Sequence, residues 1–202
     1  SAAAMSDKVE RLASELLAAH DRAALIELPS ARPGGLTVDE AYAVAGRVAQ
    51  LREARGEHPR GWKIGFTNRG IWDRYGVHAP IWGPVWDTSA VLLDGNETTV
   101  SLAGLSQPRL EPEVVFGFER VPAAGMSLAQ LQGCLAWVAH GFEIVHTHCA
   151  DWRFTLADTV ADFALHGRLC VGPRVPVARW QTRAEGLAAM RVERLCDGAS
   201  QD

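Results

Sequence analysis

Gln107-Pro108-Arg109-Leu110-Glu111-Pro112-Glu113-Val114-Val115-Phe116 reads as a β-strand with two carboxylates on one face. Alternate residues of a strand share a face, so Glu111 and Glu113 stand side by side, while Val114 and Phe116 point the other way. Pro112 also points away from the glutamates and marks an edge or irregular strand. Two carboxylates that close repel, and a buried pair needs compensation, for which a cation serves. An exposed strand with two outward glutamates gives the same local pattern. A third carboxylate separates the two readings. Glu143 opens another apolar strand in Gly141-Phe142-Glu143-Ile144-Val145. Three carboxylates with no cysteine and no obvious histidine in their motifs make a hard-oxygen site, suited to Mg²⁺, Mn²⁺ or Ca²⁺ rather than zinc.

Outward from this core, the pattern divides the chain into a helical part, 6–56, and a β-rich part, 61–202. Ser6 is placed to cap a first helix with Val9, Leu12, Ala13, Leu16 and Leu17 on its apolar face. Ser1 to Met5 reads as a tag remnant ahead of a native methionine. Pro29, Pro33, Gly34 and Gly35 break the chain. Thr37 and Glu40 then have capping-box spacing before a helix that buries Ala41, Val44, Val48 and Leu51. From Gly61, short β-rich runs alternate with turns. The expected strands are 62–66, 110–118, 142–146 and 169–171. A hairpin is expected from 90–93 and 98–102 around Asp94-Gly95-Asn96. Ser127 and Gln130 predict a helix carrying Leu128, Leu131, Leu135 and Val138 inward and ending at Gly141. Residues 158–165 predict a short helix, and 190–195 a strand whose partner is missing. The fold class is α+β, without the βαβ alternation of a Rossmann-type fold.

Three further groups carry chemistry. Lys63 sits in Gly61-Trp62-Lys63-Ile64-Gly65. It is one of two lysines, beside eighteen arginines. A strand lysine either snorkels to water or, desolvated, titrates low enough to act as acid or base. His146-Thr147-His148 has the H-x-H spacing of a zinc site, but on a straight strand these side chains face away from Glu143. Cys149 has no surrounding nucleophile motif and reads as structural.

Net charge is −4 with a pI near 6.0, which suggests neither nucleic acid nor an anionic membrane as partner. No apolar run is long enough to span a bilayer. The four cysteines show no C-x-x-C pair, as in a reduced cytoplasmic protein.

Taken together, five stretches resemble the hydratase/decarboxylase branch of the fumarylacetoacetate hydrolase superfamily. This branch includes 2-keto-4-pentenoate hydratase and 4-oxalocrotonate decarboxylase. The stretches are Gly61 to Gly65, Gln107 to Phe116, Phe142 to Val145, Ala150-Asp151-Trp152 and Asp158-Thr159-Val160-Ala161-Asp162. The resemblance implies a mixed β-roll core of the superfamily's C-terminal type behind a helical N-terminal part. It implies Mg²⁺ or Mn²⁺ on Glu111, Glu113 and Glu143, and an acid/base role for Lys63. The implied substrate is a small 2-oxo acid, chelated through its carboxylate and keto oxygens. Hydration or decarboxylation then proceeds through a metal-stabilised enolate. C–C hydrolysis and an inactive, acid-binding relative are the rival readings. Arg109 is expected to clamp a substrate carboxylate or to form a structural ion pair.

Two departures from the family stand out. Hydratases of the family carry aspartates in the loop after Gly76-Val77. Here His78 is the group able to take that place, and Trp82 would give the pocket a bulkier apolar wall if it is not simply a packing aromatic. Family chains also continue past residue 202, so the β-rich part is expected to be C-terminally incomplete. Trp and Val residues on expected edge strands point to a homo-oligomer.

Overall fold

The computed structural model describes residues 2–181 and 186–201. In chain order its elements are α1 (Ala2–Arg22), α2 (Val38–Ala54), β1 (Pro59–Gly65), α3 (Trp72–Tyr75), β2 (Ile81–Trp86), β3 (Ala90–Leu92) and β4 (Arg109–Phe118). There follow α4 (Leu128–Gln132), β5 (Leu135–Val145), α5 (Leu156–Ala161), β6 (His166–Val171), β7 (Val175–Pro176), β8 (Arg194–Cys196) and β9 (Ala199–Gln201). They group into two compact units. One comprises Ser1–Ala90, Val100–Arg109 and Ile144–Arg168; the other, Val91–Thr99, Leu110–Glu143 and Leu169–Asp202.

The first unit is built on α1, α2 and α5. The stripe read from the sequence is buried through Leu12, Ala13 and Leu16 and continues to Ala19. α1 begins at Ala2, so Ser6 lies inside the helix rather than capping it. The capping box of α2 forms as read: Thr37 Oγ1 accepts from the Glu40 N–H, and Glu40 accepts from the Thr37 N–H. Ala41, Val44 and Val48 meet α1, Ile81 and the segment from Ala157 to Ala164 in one apolar cluster. Burying a residue of Leu or Val size stabilises by about 2 kcal/mol. Arg52 follows on the same face. It is neutralised by Glu57, 2.7 Å away, and both are buried. β1 and β2 pair antiparallel, with Lys63 opposite Gly83 and Ile64 opposite Trp82.

A five-stranded sheet has the order β3-β6-β5-β4, with β7 also pairing β5. Two glycines fit its close contacts. A Cβ at Gly141 would lie 2.5 Å from the Cys170 carbonyl oxygen, and one at Gly117 would lie 1.9 Å from Trp137 Cε2.

β3 does not form a hairpin with 98–102; its neighbour is β6, and the Leu93 N–H donates to Val171 O at 2.9 Å. The capping box at Ser127 forms, but its helix stops at Gln132. Leu135 and Val138 belong to β5, and Gly141 lies within that strand rather than ending a helix. Leu128 and Leu131 are exposed, so α4 has no buried stripe to prolong it. The helix expected over 158–165 is α5 followed by a 3-10 turn at Phe163–Leu165. The strand near the end of the chain does have a partner. β8 pairs β9 across Asp197-Gly198, both at positive φ, as a tight Asp-Gly hairpin turn requires. Among the described residues, no helix is long and apolar enough to cross a membrane.

Candidate metal centre

Glu111 and Glu113 come from β4, and Glu143 from the neighbouring β5. Each of the three offers a carboxylate oxygen lying within 4.8 Å of the others. The donors are graded in exposure: Glu111 is exposed, Glu113 half-buried, and Glu143 only 2% exposed. The alternation of β4 puts Glu113, Val115 and Gly117 on one side, with Val115 in reach of β5 at Gly141. Three carboxylates at this spacing repel one another strongly at the buried end, where water screens least. A divalent cation with oxygen preference offsets that repulsion, and the donor set is the all-oxygen kind such ions take. The residues therefore fit a hard divalent ion.

The other residues singled out lie in the first unit. Lys63 is half-buried on β1, and its ammonium donates to the Ala164 carbonyl at 2.9 Å. Among the described residues, Arg109 forms no ion pair with a carboxylate. Its guanidinium lies 4.1 Å above the Trp152 ring and 3.5 Å from the Tyr75 hydroxyl. With Arg74, Arg153 and Phe154 it lines an open cleft of about 360 Å³. His78 is exposed in the loop between α3 and β2. Trp82 is half-exposed, stacked on Tyr42 at 4.8 Å and set edge-on to Trp62 at 5.2 Å. Burial pushes the Cys149 thiol up to about 12, which leaves no thiolate nucleophile.

His146 and His148 lie just past the end of β5, where strand alternation no longer sets their direction, and His20 of α1 joins them. The sequence reading missed His20. Its signal was its place four residues after Leu16, on the buried stripe of α1.

The chain is 37% identical over 138 residues to 2-hydroxyhexa-2,4-dienoate hydratase of Comamonas testosteroni, spanning 68% of this chain and 52% of the relative. It is 32% identical over 179 residues to 2-keto-4-pentenoate hydratase of Paraburkholderia phymatum, spanning 87% of this chain and 67% of the relative. The chain belongs to the family of 2-keto-4-pentenoate hydratase and 4-oxalocrotonate decarboxylase. It spans about half to two thirds of the length of these hydratase-family relatives. No family model matches the sequence. The fold is also similar to that of a solved member of the family. 4-Oxalocrotonate decarboxylase from Pseudomonas putida G7, solved with magnesium and adipate, superposes with a TM-score of 0.78 at 23% identity. The match covers 86% of this chain and 66% of that one.

Proposed function

We propose that this family member is a divalent-metal-dependent lyase acting on a small 2-oxo acid by hydration. The convergence of Glu111, Glu113 and Glu143 from two adjacent strands carries the reading, and the hydratase relatives support it. Mg²⁺ is the first choice of ion, since a decarboxylase of this fold was solved with it, and Mn²⁺ shares its ligand chemistry. When bound, the cation would supply Lewis-acid stabilisation of negative charge developing on the 2-oxo group.

The protein's own groups do the rest. The three glutamates fix the ion. Lys63 moves the proton, its Nζ already oriented by the Ala164 carbonyl. We assign His78 as the second proton carrier, Arg109 as the substrate-carboxylate clamp and Trp82 as an apolar wall. The helical part, 6–56, supports a catalytic β-rich part of the superfamily's roll type. Decarboxylation is the alternative chemistry at the same centre, favoured by the decarboxylase likeness. The test is calorimetric titration of chelator-stripped protein with Mg²⁺ and Mn²⁺, with and without oxalate. Saturable binding that tightens with oxalate and is lost in Glu113→Gln supports the assignment. No binding under any of these conditions overturns it.

A further inference from the structure

We propose that His20, His146 and His148 form a second metal site, distinct in residues and chemistry from the three glutamates, that takes a borderline-soft divalent ion of the Zn²⁺ class. One ring nitrogen of each histidine lies within 4.8 Å of the others. The rings meet edge to face, with centroids 4.9, 5.6 and 6.0 Å apart. His146 and His148 are fully buried, and His20 is half-buried. Three buried ring nitrogens, His20 Nδ1, His146 Nε2 and His148 Nε2, have no hydrogen-bond partner among the described residues. Buried imidazole nitrogens are normally satisfied, so three orphans in one cluster point to a shared ligand.

The surroundings favour a cation. Asp162 is 1% exposed, and its Oδ1 accepts from His148 Nδ1 at 2.6 Å. Its other oxygen accepts from the Thr147 hydroxyl at 2.7 Å and the His148 N–H at 2.8 Å. These bonds fix the position of the carboxylate. With the proton held on Nδ1, His148 turns the Nε2 lone pair toward its neighbours, the carboxylate–histidine arrangement that supports metal ligation. Three imidazole nitrogens suit zinc, copper or nickel and suit Mg²⁺ poorly.

One contact opposes the site. The Ser106 N–H donates to His146 Nδ1, which places the ring proton on Nε2. At 3.3 Å this is the longest bond around the cluster. Giving up one ordinary hydrogen bond weakens binding by on the order of tenfold. A buried water is the competing occupant, because it can accept from His146 and donate to the other two rings.

The experiment uses the full chain, stripped with chelator, in a Glu111→Gln/Glu113→Gln background that removes the oxygen site. Co²⁺ is titrated with visible absorption as the readout, and Zn²⁺ by calorimetry. The expected result is one Zn²⁺ per chain, intense visible cobalt bands from a four-coordinate nitrogen-rich site, and a raised melting temperature on Zn²⁺ addition. Adding His20→Gln, on the half-buried member, abolishes the bands and weakens Zn²⁺ by at least about a hundredfold. His148→Gln does the same. No bands, or bands and Zn²⁺ affinity that survive His20→Gln, overturn the site and leave water as the occupant. Mg²⁺ binding to the unaltered protein is measured in parallel, so failure here is separable from failure of the glutamate centre.

Discussion

The indole of Trp137 on β5 lies directly against Gly117 on β4, leaving no room for a side chain. Any Cβ there would meet Cε2 at 1.9 Å. Gly117→Ala therefore forces the ring, or β4 itself, to move. The expected cost is about 1–3 kcal/mol, read as a lower urea midpoint. An unchanged midpoint would show that Trp137 has another place to go.

Glu113 is the middle donor of its centre in exposure, between exposed Glu111 and buried Glu143. Glu113→Gln keeps the shape and removes the charge. Mg²⁺ affinity is expected to fall by more than about a hundredfold, with little change in melting temperature, because the like-charge repulsion falls too. Retention of wild-type affinity would remove Glu113 from the site.

Lys63 donates to Ala164 O and is assigned the proton transfer. Lys63→Met is expected to lower kcat by about 10²–10⁴-fold while Mg²⁺ binding, measured by calorimetry, stays as it is. Loss of both together would mean that the lysine supports the fold and not the chemistry.

Glu57 offers a pH signature. Burial alone would raise its pKa, yet bonds from Arg52, Thr88 and Arg55 outweigh it and hold the carboxyl at about 2 instead of 4.5. A depressed carboxylate contributes stability that is present above its unfolded pKa and lost as pH falls through the folded one. Unfolding free energy should therefore drop by on the order of 3 kcal/mol between about pH 5 and pH 2 from this group. Glu57→Gln is expected to flatten that part of the profile in chemical melts. It also leaves Arg52 buried without its charge partner, destabilising the protein by about 3–5 kcal/mol at neutral pH.

What was legible in the sequence follows from local rules. The α2 capping box needs only residues three apart, and the pairing of Glu111 with Glu113 needs only strand alternation. Longer-range choices were not legible. Leu128 to Val138 has helical spacing, but β5 takes Leu135 onward because the sheet offers strand partners on both sides. Asp94-Gly95-Asn96 has hairpin chemistry, yet β3 pairs instead with a strand some eighty residues on. The histidine cluster depended on where β5 ends. Three more residues of regular strand would have kept both His146 and His148 facing away from Glu143. For the glutamate centre, the sequence supplied the donors, and only the sheet order supplies their meeting.

That meeting makes the centre a gauge of alignment. Two donors ride on β4 and one on β5, so a one-residue slip between the strands would turn one set of side chains to the opposite face. An ion held by all three would bind the correct alignment and not the slipped one. By mass action it would stabilise the native pairing at the site of the proposed chemistry. Trp137 seated on Gly117 does the same by shape, without an ion. The proposed ion and the packing of Trp137 on Gly117 would thus act as two independent devices against slippage.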